Sequence, residues 1–275
     1  MTHTHPFRFG VVATPDGGPD RWIATARRVE ELGYSTLLMP DGLQLLAPFP
    51  SLAVAASVTT ALRVGTFVLA SPLRAPRAAA WEAHSLSVLT GGRFDLGIGT
   101  GHGGVPHQAA QLGLPYGTAA ERRRQVADTI THLRELDGER HTPVLVAAGG
   151  PKAIALAAQT ADIVTLAADA RATRDHVAAM AAQLREAAGE RAEGIELAMN
   201  VFVVGDEVPE WTRGFLGATA EELIAADSLT MLRGSTTAMA DELQRRRDAF
   251  GTSYISVNAA FLEQFAPVVE LLDGK

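Results

Sequence analysis

Eight short runs rich in β-branched and apolar residues alternate with longer runs of helical periodicity from one end of the 275-residue chain to the other. The apolar runs are residues 7–13, 35–39, 63–70, 93–99, 143–147, 163–166, 195–204 and 253–258. Their composition suits strands buried on both faces, as the strands of a parallel sheet are. Helical spacing fills residues 20–32, 77–89, 118–136, 151–159, 172–188 and 236–250. Gly33, Gly91-Gly92 and Gly251 stand where three of these helices should stop, and Thr118 with Glu121 forms a capping-box pattern. A strand followed by a helix, repeated, gives a parallel sheet with crossover helices. Eight repeats predict closure as a (β/α)8 TIM barrel rather than an open doubly wound sheet, and about 250 residues is the usual size of such a barrel. No Pro/Gly/Ser-rich linker divides the chain, so one domain over residues 1–275 is expected.

Composition narrows the function classes. Hydrophobic residues make up 47% and charged residues 20%, enough apolar surface for a sizeable core. The net charge is -7, and the arginine runs 122–124 and 245–247 fall in helical patterns rather than in a basic arm, so nucleic acid is not an expected partner. The absence of cysteine excludes disulfides, thiolate metal sites and cysteine nucleophiles. Neither a signal-peptide core nor an apolar run of membrane-spanning length is present, and the expectation is a cytoplasmic protein without a membrane partner.

In a (β/α)8 barrel, chemistry gathers in the segments that follow the strands. The segment Gly97-Ile-Gly-Thr-Gly-His-Gly-Gly104 follows the fourth strand and leaves backbone N–H groups open to an anion. It could equally be a rim turn that needs glycine only for its dihedral angles. Ala148-Gly149-Gly150-Pro151-Lys152 runs from the fifth strand into a helix opened by Pro151 and has the same two readings. Gly99 to Gly104 also matches G-x-G-x-x-G, which raises a nicotinamide-dependent Rossmann dehydrogenase as a rival. Pro106 and Pro115, together with Glu121 falling in a helical stretch, break the expected context. Asp41, just past the second strand, is a candidate ligand contact or a solvated turn residue. His102 and His107 lack an accompanying carboxylate, so no metal is expected, and His84 reads as packing or surface. No serine-histidine-aspartate set, nucleophile elbow or Walker loop is present. Two phosphate-cradling loops without a strong nucleophile favour a phosphate-bearing redox cofactor over side-chain catalysis.

The chain resembles the bacterial luciferase-like family of flavin- and deazaflavin-dependent oxidoreductases. The resemblance is carried by Ala26-Arg-Arg-Val-Glu-Glu-Leu-Gly-Tyr34, Leu62-Arg-Val-Gly-Thr-Phe-Val-Leu69 with Pro72 and Pro76, Leu89-Thr-Gly-Gly-Arg-Phe-Asp-Leu-Gly-Ile-Gly-Thr-Gly101, and Ala157-Ala-Gln-Thr-Ala-Asp-Ile-Val164. It implies a barrel whose third strand carries a bulge and a non-proline cis peptide near Phe67–Val68, beneath the cofactor ring, with Leu69 alongside. It also implies that Gly99, Thr100, Gly101, His102 and Gly103, with Gly149, Gly150, Pro151 and Lys152, contact the cofactor's phosphates, and that Asp41 lies beside the ring. The cofactor so implied is coenzyme F420, favoured by Phe265-Ala-Pro-Val-Val269 and Ala161-Asp-Ile-Val164, or FMN. The activity implied is hydride transfer to, or monooxygenation of, a small organic substrate, in a homodimer.

Two departures qualify the expected chemistry. Many relatives have Asp-His where this chain has Asp41-Gly42, which leaves Asp41 or His102 as candidate catalytic groups and raises a non-catalytic flavin-binding or cofactor-free barrel as an alternative. Residues 135–143 are short where relatives carry an additional segment over the substrate, which predicts a more open pocket.

Overall fold

A computed structural model describes residues 5–210 and 216–275. Its strands are β1 (Arg8–Val12), β2 (Thr36–Met39), β3 (Arg63–Thr66), β4 (Leu69–Ala70), β5 (Phe94–Gly99), β6 (Val144–Ala148), β7 (Ile163–Leu166), β8 (Glu196–Val201), β9 (Val203–Val204), β10 (Met231–Leu232) and β11 (Thr252–Asn258). All pairings are parallel, and β11 returns beside β1 with Arg8 opposite Tyr254 and Val12 opposite Asn258. β3 and β4 are two pieces of one strand, interrupted at a cis Phe67–Val68 peptide, and both pair with β5. Counting them as one gives eight strands in a closed ring, the (β/α)8 architecture read from the sequence. A closed parallel barrel is incompatible with the Rossmann alternative.

The strands are apolar on both faces because the ring has two packed sides. In β2, Leu37 packs outward among the helices, whereas Leu38 packs inward with Leu145, Ile163, Ala198 and Tyr254. Both leucines are at most 1% exposed, and burial of each contributes about 1.5–3 kcal/mol. The starting ends of the strands are closed by charge. Arg8 reaches Glu196 at 2.6 Å, Arg63 reaches Asp95 at 2.5 Å, and the Arg8 guanidinium lies 3.6 Å from the Tyr254 ring centroid. Burial pushes the Tyr254 phenol up to about 12.

The helices begin where local chemistry dictates. Thr118 caps Ala119–Asp137 with a complete capping box, and Gly251 ends Thr236–Phe250 in a left-handed conformation (φ 82°). Among the described residues, four α-helices lie outside the stretches expected from the sequence: Pro48–Ser57, Val105–Gln111, Ala220–Ala225 and Leu262–Leu272. Pro48 and Pro106 both occupy the first turn of their helices, where a missing N–H costs nothing. The expected strand 195–204 is divided at Phe202. There β9 leaves the barrel to pair with β10, and the Phe202 and Val203 N–H groups both donate to the Thr230 carbonyl.

Residues 135–143 do not bear on the mouth of the barrel. They join the end of a helix at Asp137 to the start of β6, at the charged end, so their shortness cannot open a pocket at the other. Among the described residues, the mouth is bordered instead by the segments after β5, β6, β7 and β8.

Candidate active site

Thr66, the last residue of β3, is tied to β5 by a reciprocal pair of hydrogen bonds. Its hydroxyl donates to the Gly97 carbonyl at 2.6 Å and accepts from the Gly97 N–H at 2.9 Å. The approach is possible only because residue 97 has no side chain, since a Cβ there would lie 1.8 Å from the Thr66 carbonyl oxygen. One turn of the pleat further on, a Cβ at Gly99 would lie 3.0 Å from Val68 Cγ2. These glycines let the interrupted third strand lean across β5 and present Val68 at the mouth.

Around Val68 opens a cavity of about 700 Å³. Gly99, Thr100, Gly101 and His102 form one wall, and Gly149, Gly150, Pro151 and Lys152 form the other. Asp41 and Val68 complete the expected lining. Gly101 takes φ +84°, which opens its backbone without strain, and at Gly149 a Cβ would meet the Ala167 carbonyl oxygen at 2.8 Å. Gly150 caps the helix Pro151–Thr160 without a side-chain partner, so the first turn of that helix faces the cavity.

The remaining expected site residues fall elsewhere. Phe67 lines an adjoining chamber. Leu69 is fully buried between barrel and helices, because alternation along the strand turns it outward, and it does not reach the cavity. Gly103 lies on the exposed loop beyond His102 and outside the lining.

Asp41 is not free to act alone. Arg74 holds both of its oxygens, at 2.6 and 3.1 Å, and the Ala70 N–H donates to Oδ2 at 3.0 Å. The carboxylate is 3% exposed, so its role in the cavity is to fix the mouth end of the third strand. Beside Gly42, the residue that stands where the resemblance led us to expect a histidine, the Gln44 amide fills the space, and a Cβ at Gly42 would sit 2.7 Å from it. His102 stands exposed on the cavity rim. Its Nδ1 accepts from the Gly104 N–H at 3.4 Å, which leaves Nε2 for a ligand.

Sequence reasoning missed Arg123, which lines the cavity from the helix Ala119–Asp137. Of its neighbours in the arginine run, Arg122 stacks over Tyr116 at 4.1 Å and donates to Gly117. The signal available in sequence was position, since Arg123 falls in the second turn of a helix that starts beside the glycine loop. Arg123 and Lys152 are the two cations among the described lining residues. A donor set of open glycine N–H groups, a helix N-terminus and two cations fits a phosphate-bearing molecule.

A closed parallel barrel with a cavity at the ends of its strands places the chain in the (β/α)8 class. The chain belongs to the luciferase-like monooxygenase family, whose model matches residues 1–220. It is 30% identical over 141 residues to the 4-hydroxyprotoasukamycin monooxygenase of Streptomyces nodosus subsp. asukaensis, covering 46% of this chain and 37% of that protein. It is 28% identical over 176 residues to the F420-dependent glucose-6-phosphate dehydrogenase of Intrasporangium calvum, covering 53% of each. The chain thus spans about half or less of the length of these curated relatives. The fold of the coenzyme F420-dependent tetrahydromethanopterin reductase of Methanopyrus kandleri superposes over 98% of both chains with a TM-score of 0.74 and 16% identity. Among the described residues, no helix is long and apolar enough to cross a membrane, and no cluster of metal-ligating side chains is present.

Proposed function

We propose that this protein is an oxidoreductase that uses reduced coenzyme F420, in preference to FMN, to act on a small organic substrate. The observation that carries the reading is the convergence of both glycine loops, Lys152 and Arg123 on one cavity beside Val68. The bound cofactor would supply a hydride or, if it is a flavin, the reducing power for oxygen activation. The chain's own residues supply binding and order. The glycine N–H groups, Lys152 and Arg123 would hold the phosphates, and Val68 would present an apolar edge to the ring. The Asp41–Arg74 pair keeps the third strand in place, and His102 Nε2 is the group placed to exchange a proton with a ligand at the rim. Both cations could serve the phosphate of either cofactor, and the preference for F420 rests on the resemblance carried by Phe265–Val269 and Ala161–Val164.

Fluorescence titration of the purified protein with F420 and with FMN tests the proposal. Tighter binding of F420 supports hydride transfer, and tighter binding of FMN turns the reading toward oxygen chemistry. Binding of neither leaves a barrel without a flavin-type cofactor.

A further inference from the structure

Beside the polar cavity, and sharing Val68, Ala147 and Ala167 with it, lies a second chamber of about 380 Å³. Its chemistry is different. Phe67, Met199, Phe202 and Leu229 give it apolar walls, and no cation stands among its described lining residues. Its one carboxylate, Asp169, is exposed at the rim and turned back to accept the Arg171 N–H at 2.8 Å. Three neutral polar side chains line it, and with Thr230 paired to Ser228 Oγ at 2.8 Å two are left to face a ligand. Asn200 takes the Ser256 hydroxyl at Oδ1 (3.2 Å), which leaves its amide hydrogens for the chamber, and Thr165 contributes a hydroxyl.

The walls are held by buried polar contacts rather than by loose packing. Arg246, 2% exposed, donates to the Leu229 carbonyl at 2.7 Å and the Met231 carbonyl at 2.9 Å, with Glu242 on its Nε at 2.8 Å. Ser228 Oγ donates to the Ala170 carbonyl, joining the segment after β8 to the segment after β7. The chamber is therefore preformed, and a ligand entering it need not order its walls.

We propose that this chamber binds an uncharged, mainly apolar alcohol or ketone whose single oxygen is read by Asn200 and Thr165. A phosphate or carboxylate placed there would lose its hydration with no counter-charge, which disfavours anionic substrates. The two donors suit one neutral oxygen, and the apolar walls suit the carbon skeleton. The inference deepens the oxidoreductase reading and rests on it for the assignment of the polar cavity to the cofactor.

Ligand-observed NMR with cyclohexanone as the probe and glucose 6-phosphate as the anionic control tests it, with flavin and F420 fluorescence read in parallel. Wild type is expected to bind cyclohexanone, and a tenfold excess of glucose 6-phosphate should not displace it. Met199→Trp, which fills the chamber, should abolish cyclohexanone binding and leave cofactor affinity within about threefold. Asn200→Leu, a milder change, should weaken cyclohexanone by about fivefold or more with cofactor affinity unchanged. Retained cyclohexanone binding in Met199→Trp, displacement by glucose 6-phosphate, or loss of cofactor binding in Met199→Trp would each overturn the proposal, the last by placing the cofactor in the chamber. Cyclohexanone binding that responds to both substitutions in a protein that binds neither cofactor would support the ligand class and count against the cofactor reading.

Discussion

Asp41 and Arg74 form a two-pronged ion pair at the mouth of the barrel, with the Asp41 side chain 3% exposed and the Arg74 side chain 21% exposed. Removing the guanidinium strands a buried charge, whereas removing both charges does not. Arg74→Met is expected to destabilise the protein by about 3–5 kcal/mol, and the double change Asp41→Asn with Arg74→Met by clearly less. Urea unfolding of the three proteins checks the order, and equal losses would mean that the pair contributes little.

Gly97 and Gly103 belong to one glycine-rich run but meet different surroundings. A Cβ at Gly97 would lie 1.8 Å from a backbone oxygen, while one at Gly103 would meet nothing within 4 Å. Gly97→Ala should therefore cost at least about 1–3 kcal/mol of stability, and Gly103→Ala should lie within about 0.5 kcal/mol of wild type. Thermal melts distinguish the two.

If the polar cavity holds a phosphate-bearing cofactor, Lys152→Ala and Arg123→Ala should each weaken F420 binding by about tenfold or more. The salt dependence of binding should also flatten, because each change removes one screened attraction. Fluorescence titrations at two ionic strengths measure both effects.

The Arg174–Asp227–Glu242–Arg246 cluster makes an acid-side prediction. Arg174 holds Asp227 below the usual carboxylate range. Burial would raise Glu242, but Arg246 and Arg174 outweigh it, so its net shift is also downward. A carboxyl group with a lowered folded pKa contributes stability above its unfolded pKa, near 4, and that contribution is lost as pH falls through the folded value. Acid unfolding should begin below about pH 4, and Glu242→Gln should flatten that limb of the stability–pH curve.

We propose a homodimer formed through the neighbouring helices Pro48–Ser57 and Pro76–Leu89, which expose Val54 (41%), Trp81 (67%), Val88 (44%) and Leu89 (82%). Light scattering should give twice the 29.0 kDa chain mass, and Trp81→Glu should shift the species toward the monomer. A wild-type protein of 29.0 kDa at high concentration would refute it.

The barrel was legible in the sequence because its strands are buried on both faces and its helices are punctuated by glycine and threonine caps. The helices Pro48–Ser57 and Val105–Gln111 were not among the expected helical stretches, although each has a proline in its first turn. Ten of the thirteen expected site residues line one cavity, because they end or follow β2, β3, β5 and β6 and closure brings those strand ends together. Leu69 was misplaced by neglecting strand alternation. The second chamber was not legible, because its walls depend on Arg246 reaching carbonyls 17 and 15 residues away, a contact that no local pattern announces.

Among the described residues, charge closes the starting ends of the strands, and the door to both cavities lies at the opposite end of the barrel. Any ligand of the polar cavity or the chamber arrives and departs on the same side. Lys275, whose carbonyl accepts the Phe7 N–H at 3.0 Å, lies at the other. A surface or fusion partner attached through Lys275 would leave the door facing solvent, so tethered protein should exchange ligands as freely as the protein in solution.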